Sequence, residues 1–171
     1  MESKKIWYTK TDNKIEIDIY VEKTKKSAFI FFVTSGTVIM SMPFVVFVLS
    51  IVEDFDLGFG LLLSVIAAGI VSFYLFRMAF WNMYGIEKYI ISKNIVTFIA
   101  DYKFYKDTVM TINDENICVG YFDKNDTDNE TLATAKLIFS TDKNQILSTI
   151  DLSIGEIHKI AKLIEKTKFL G

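Results

Sequence analysis

The chain has 171 residues, enough for about one domain and an accessory segment. Its net charge of −2 excludes a generally basic nucleic-acid surface, and its single cysteine, Cys118, excludes an internal disulfide. The apolar fraction of 51% is concentrated between Ser27 and Trp81, and elsewhere the chain is rich in Lys, Glu, Asp and Asn.

The first predicted element is a strand over 14–21. In "NKIEIDIYVEK", Ile15, Ile17, Ile19 and Val21 alternate with Glu16, Asp18 and Tyr20. It is too short to stand alone. Either it joins a sheet formed after Trp81, or it lies against a partner.

Ser27 to Val52 is an uncharged run of 26 residues, and Leu57 to Phe76 is a second of 20. About 20 residues cross a bilayer as a helix. Lipid-embedded backbone must satisfy its own hydrogen bonds, so both runs are predicted to be helical. With the flanking aromatic residues they form a transmembrane hairpin over 27–80, with spans 27–52 and 57–80. The first run starts too late and is too long for a cleaved signal peptide. Lysines precede the first span, Arg77 and Lys88 follow the second, and "EDFD" (Glu53 to Asp56) between them holds three acids and no base. The positive-inside rule then puts both termini in the cytoplasm.

Lys25, Lys26, Arg77, Trp81 and Tyr84 are the expected anchors at the membrane interface. Small residues recur at helical spacing, Thr37 and Ser41 on the first span and Ser64, Ala68 and Ser72 on the second. They serve either packing within the hairpin or docking onto another membrane protein. Pro43 and Gly36 permit a kink in the first span. No ionisable residue lies deep in either span, which argues against an ion or proton path.

After Trp81 the apolar period becomes two. "GIEKYIIS" turns at Lys93-Asn94 into "IVTFIADYKF", where Val96, Phe98, Ala100, Tyr102 and Phe104 share a face. "DTVMTI", "ICVGYF", "LATAKLIFS" and "QILSTIDL" continue a meander of about six short strands, with a polar loop at 123–130. A helix over 154–169 closes the chain. Ser153 and Glu156 form its capping box, and Ile157, Ile160, Ala161 and Ile164 form its apolar face. The domains are thus an N-terminal segment 1–26, the hairpin 27–80, and a β domain 81–171.

These elements resemble a group of small bacterial membrane proteins with an N-terminal strand, two spans and a pleckstrin-homology-like (PH-like) domain. The likeness rests on "NKIEIDIYVEKTKK", on "WNMYGIEKYIIS" with Trp81, Gly85 and Glu87, and on "KLIFSTDKNQILSTIDLSIGEIHKIAKLI". It implies an α+β membrane protein whose sheet or barrel of six to seven antiparallel strands is closed by a C-terminal helix. It also implies the cytoplasmic membrane of a bacterium, and it carries over no catalytic residues.

No phosphate-binding glycine loop, nucleophile elbow or Cys–His pair is present in the sequence. Asp126 and Asp128 lack calcium-loop spacing, and the triplets at Asn125 and Asn129 match a glycosylation pattern that a cytoplasmic side makes irrelevant. Cys118 is expected to be a buried thiol and His158 a surface residue. No cofactor or metal is expected. The functional expectation is a non-catalytic interaction module, an accessory or scaffolding subunit of a larger membrane assembly. Its partners are membrane lipids and a membrane protein or a second copy, with no nucleic acid. The alternative is a lipid-headgroup site near Lys93 and Lys103.

Overall fold

The structure is a computed structural model that describes residues 6–11, 13–53, 58–122 and 134–166. What the sequence analysis places at 54–56, in the 123–130 loop and at 167–169 lies outside those residues. The chain divides into two compact units, one of Met1–Val21 with Gly85–Gly171 and the other Glu22–Tyr84.

The second unit is a pair of helices, α1 (Lys26–Glu53) and α2 (Gly58–Tyr84). Both are long and apolar enough to cross a membrane. Lys25 starts α1, its carbonyl accepting from the Ala28 and Phe29 N–H groups at 2.9 and 3.2 Å. On α1 the buried positions are Gly36, Pro43 and Ser50, seven residues apart. On α2 they are Ser72 and Ala79, again seven apart. A seven-residue repeat keeps one stripe facing a partner helix. The helices pack tightly at Gly36, where a Cβ would lie 3.0 Å from the Phe76 ring. Across the same spot the Ser72 hydroxyl donates to the Gly36 carbonyl at 2.9 Å.

Among the described residues the first unit holds eight antiparallel strands in two sheets. The five-stranded sheet runs β1 (Ile6–Thr11), β2 (Lys14–Tyr20), β3 (Ile86–Ser92), β4 (Ile95–Asp101) and β5 (Lys106–Asn113). The three-stranded sheet runs β6 (Cys118–Phe122), β7 (Thr134–Ser140) and β8 (Gln145–Ser153). Helix α3 (Ile154–Glu165) follows. β2 pairs with β3 along its whole length, so the helical hairpin is an insertion between two neighbouring strands of one sheet.

Two expectations are corrected here. The strands form two open sheets rather than a closed barrel, and among the described residues they number eight, one of them the edge strand β1, which the apolar pattern does not mark. "IWYTKT" has no apolar alternation, since as an edge strand only one of its residues is half-buried and the rest are exposed. The "IVTFIADYKF" strand also ends early. Tyr102 is buried, but the chain reverses at Lys103-Phe104 and leaves Phe104 67% exposed.

The core lies between the sheets. Ile15, Ile17, Ile19, Tyr89, Ile91, Val96 and Phe98 face inward from the larger sheet, and Leu137, Phe139, Ile146 and Leu152 from the smaller. Tyr89 joins them, its ring 5.2 Å from Phe98 and 5.4 Å from Phe139. Beside it lies Glu87, wholly buried. Between Lys136 and Ile138 on β7 and their partners on β8, the strand pairing shifts, leaving Ser148, Thr149 and Ile150 opposite Leu137. Their freed backbone groups find side chains instead. Leu137 N–H donates to the Ser148 hydroxyl at 3.0 Å, and that hydroxyl donates to the Ile150 carbonyl at 2.8 Å. Glu87 Oε1 accepts from the Thr149 and Ile150 N–H groups at 2.6 and 3.2 Å and from the Thr149 hydroxyl. Glu87 Oε2 accepts from Tyr89 at 3.0 Å. One carboxylate therefore fastens β3 to the irregular part of β8.

Candidate functional site

The candidate site is a cleft between β1 and α3. The β1–β2 register sets one wall. Ile6 lies opposite Ile19 and Tyr8 opposite Ile17, so Ile6 and Tyr8 share the inward face of the sheet. β1 is the last strand on its side, and among the described residues no further strand pairs with it. The inner face thus ends at Tyr8, which is 64% exposed, instead of passing under another strand.

The capping box sets the other wall. The Ser153 hydroxyl accepts the Glu156 N–H at 3.3 Å, while Glu156 Oε2 accepts the Ser153 N–H at 2.9 Å. This fixes where α3 begins, and with it the phase of the apolar stripe Ile154, Ile157, Ile160 and Ile164, all buried. Ile160 and Leu163 are presented to the cleft, with Glu156 and Lys159 at its rim. The cavity has a volume of about 360 Å³ and is floored by the fully buried Ile17. Lys10 is exposed on the same strand, on the Tyr8 side of the sheet. An apolar floor, an exposed aromatic and an edge strand with a free backbone edge suit an extended peptide segment.

The residues singled out in the sequence are scattered. Lys25 and Lys26 are exposed at the start of α1, and Arg77, Trp81 and Tyr84 are half-buried on the last turns of α2. Tyr84 joins an aromatic group with Phe29 and Phe80, at ring separations of 6.0 to 6.4 Å. Of the small-residue stripe, Ser72 is buried in the helix seam and Ala68 borders it. Thr37, Ser41 and Ser64 are exposed, and each hydroxyl donates to a carbonyl of its own helix.

Lys93 and Lys103 do not come together. Lys93 is in the β3–β4 turn and Lys103 follows the other end of β4. Seven residues of strand, roughly 23 Å, separate the two ends. Cys118 is exposed, contrary to the expected buried thiol. The alternation at the start of β6 turns Ile117 inward, 3% exposed, and Cys118 outward. His158 is exposed, with its ring 6.1 Å from Tyr121. Among the described residues no group of His, Cys, Asp or Glu is arranged to hold a metal ion.

Electrostatics elsewhere in this unit are structural. Burial pushes the Glu87 carboxyl above the ordinary glutamate range, against the pull of the Thr149, Tyr89 and Ile150 donors. Burial also pushes the Tyr89 hydroxyl up. On the outer face, Lys88 Nζ lies 3.0 Å from Asp101 Oδ2. Burial pushes Asp101 up, but the bonds from Lys88 and from the Lys103 N–H outweigh it and hold the carboxyl below its usual range.

No known protein-family model and no curated protein matches this chain.

The cleft itself was not legible in the sequence. Its signal would have been β1, whose only mark is the turn-forming "TDN" at 11–13 ahead of the alternating β2.

Proposed function

We propose that this protein is a non-catalytic interaction module, anchored in the membrane by α1 and α2 and docking an extended segment of a membrane-protein partner in the β1–α3 cleft. The cleft carries the reading, because it joins a free strand edge to an apolar floor. A partner strand would extend the sheet at β1 and place alternate apolar side chains against Tyr8, Ile160 and Leu163. Lys159 at the rim and Lys10 further along β1, with the rim carboxylate of Glu156 held by Ser153, favour acidic residues flanking that segment.

The architecture supports a PH-like reading. β2 to β5, then β6 to β8, then α3 follow the four-strand, three-strand, helix order of that fold, with β1 as an additional edge strand. Lysines before α1, Arg77 near the end of α2 and acids between the helices support a cytoplasmic β domain in a bacterial inner membrane. An accessory or scaffolding role in a larger assembly follows. A headgroup site built from Lys93 and Lys103 has less support, because the two lie at opposite ends of β4.

The test is site-specific photocrosslinking of the full chain in native membranes. A crosslinker replacing Tyr8 is expected to give one discrete adduct with a membrane protein. The adduct should be lost on Ile160→Lys and re-formed with the purified partner. A crosslinker replacing Thr97, on the outer face, should not give it. Equal labelling from both positions, or no adduct from position 8, overturns the proposal.

A further inference from the structure

The larger sheet has one end at which the chain leaves for the two long helices. Tyr20, Ile86, Asp101 and Lys106 form one row across β2, β3, β4 and β5. In the next row the Val21 N–H donates to the Gly85 carbonyl at 3.0 Å, and Gly85 directly follows Tyr84, the last residue of α2. That row also contains Tyr102 and Tyr105, where the Tyr102 N–H donates to the Tyr105 carbonyl at 2.9 Å. The β4–β5 turn therefore extends one residue pair beyond the point where the chain departs. Adjacent strands lie about 4.8 Å apart, so the turn, between β4 and β5, is roughly 5–10 Å to the side of Gly85.

A single exposed phenylalanine on a protein surface is ordinary. Phe104 differs in how it is held. Lys103 adopts a φ of 74°, which a side-chain-bearing residue rarely takes. The Asp101 carboxylate secures it by accepting the Lys103 N–H at 2.8 Å, and is itself paired with Lys88. Under the turn, the Tyr102 and Tyr105 rings stack at 4.4 Å and 10°. Tyr102 is buried, so the pair forms a base for the tip. The result is a two-residue apex braced by these contacts, with Phe104 exposed and the Lys103 ammonium 5.9 Å from its ring. Strained backbone that neighbouring groups over-determine tends to mark a functional position. An aromatic apex beside a lysine suits the bilayer interface, where the ring sits at headgroup depth and the ammonium reaches the phosphates.

From the row alignment, the strained turn and the exposed ring, we infer that the β4–β5 hairpin is a third membrane contact, in which Phe104 inserts into the interfacial layer of the lipid bilayer. It would add a third attachment to the bilayer beside the two chain connections at Val21 and Gly85. This rests on the membrane reading of α1 and α2 and not on the docking cleft.

The test uses the full chain with Cys118→Ser, reconstituted in nanodiscs of phosphatidylethanolamine with a quarter phosphatidylglycerol. A polarity-sensitive fluorophore is attached at Phe104→Cys, Lys93→Cys or Phe44→Cys in turn, and quenched by lipids carrying nitroxides. Phe44 is 63% exposed on α1 and reports whether the helix lies in lipid. Lys93 marks the far end of the sheet. The expected result is strong quenching at 44 and quenching at 104 roughly threefold above that at 93, with a blue-shifted emission. Strong quenching at 44 with equal, water-like signals at 104 and 93 overturns this inference alone. A water-like signal at 44 overturns the membrane reading and this inference with it. Because only lipid is present, a position 104 that is shielded in native membranes but water-exposed in nanodiscs also counts against it.

Discussion

The two units solve the same problem, holding together elements distant in sequence, with opposite chemistry. In the helical pair the seam is made by removing side chains. Gly36 lets Phe76 approach, and one neutral bond from Ser72 spans the gap. In the β domain the joint is made by adding a polar side chain, the carboxyl of Glu87, which holds Thr149, Ile150 and Tyr89. The difference follows from what each unit would leave unpaired. Helices satisfy their own backbones, so packing alone suffices between them. The irregular β8 frees N–H groups inside a core, and these need an acceptor.

The largest expected effect is therefore at Glu87. Glu87→Ala leaves two backbone N–H groups and a phenol buried without their acceptor. Each buried donor left without an acceptor costs about 1–3 kcal/mol, against a typical domain stability of about 5–15 kcal/mol. Thermal unfolding of the full chain in detergent should show the β-domain transition greatly lowered, and Glu87→Gln, which keeps one acceptor oxygen, should lie between. If Glu87→Ala unfolds with wild type, the carboxylate is not the joint.

The pH dependence of the same pair of proteins sharpens this. Burial raises the folded carboxyl of Glu87, so the native state retains that proton to higher pH than the unfolded chain. Its contribution to stability is therefore most favourable at low pH. It declines as pH rises from the ordinary glutamate range through the raised folded value. Asp101, held low, acts in the other sense, stabilising above the ordinary aspartate range and losing this as pH falls through its folded value. Subtracting the Glu87→Gln unfolding midpoint from wild type cancels Asp101. The difference should fall with rising pH, and a flat difference would show that Glu87 is not the titrating group.

Glu87 also marks where the sequence stops being legible. The hairpin, most of the strands and the capping box could be read because each depends on a local period or spacing. In "GIEKYIIS" both alternating sets contain isoleucine, Ile86 and Ile90 in one and Ile91 in the other. The composition of β3 thus leaves its phase undetermined, and nothing in it alone turns Glu87 inward. Only the register against β2 and β4 turns residues 87, 89 and 91 inward. The cleft was hidden for a similar reason. Edge strand β1 is mostly exposed and carries no buried stripe, so its position is decided by pairing with β2 and not by its own composition. On α1 the four-residue spacing of Thr37 and Ser41 stood out, but the seam follows the seven-residue spacing of Gly36, Pro43 and Ser50.

The helix seam offers the next test. At Gly36 a methyl group would force the Phe76 ring to give by a few tenths of an ångström, and a larger side chain would part the helices. Gly36→Leu should destabilise the hairpin by about 1–3 kcal/mol, and Gly36→Ala by less. Gly69, half-buried on α2, has nothing within 4 Å of its would-be Cβ. Gly69→Leu is then the control, and denaturation in mixed detergent should leave it near wild type. Equal losses at 36 and 69 would mean that added bulk is costly wherever it is placed on these helices, and that close approach at Gly36 is not the cause.

The smallest effect is the most discriminating. Ser72→Ala removes a hydroxyl that crosses the seam, and interhelical bonds of this kind average about 0.6 kcal/mol with a ceiling near 1.7. Ser41→Ala and Ser64→Ala remove hydroxyls that bond to their own helices and should register close to zero in the same denaturation. The gap between Ser72 and Glu87 does not arise from the number of bonds alone. Losing Ser72 leaves the Gly36 carbonyl within its helix, where the backbone ladder supplies a donor. Losing Glu87 strands donors that the shifted β7–β8 pairing cannot recover. If Ser72→Ala proved as damaging as Glu87→Ala, the seam would depend on its polar bond rather than on its small residues, and the contrast between the two units would fail.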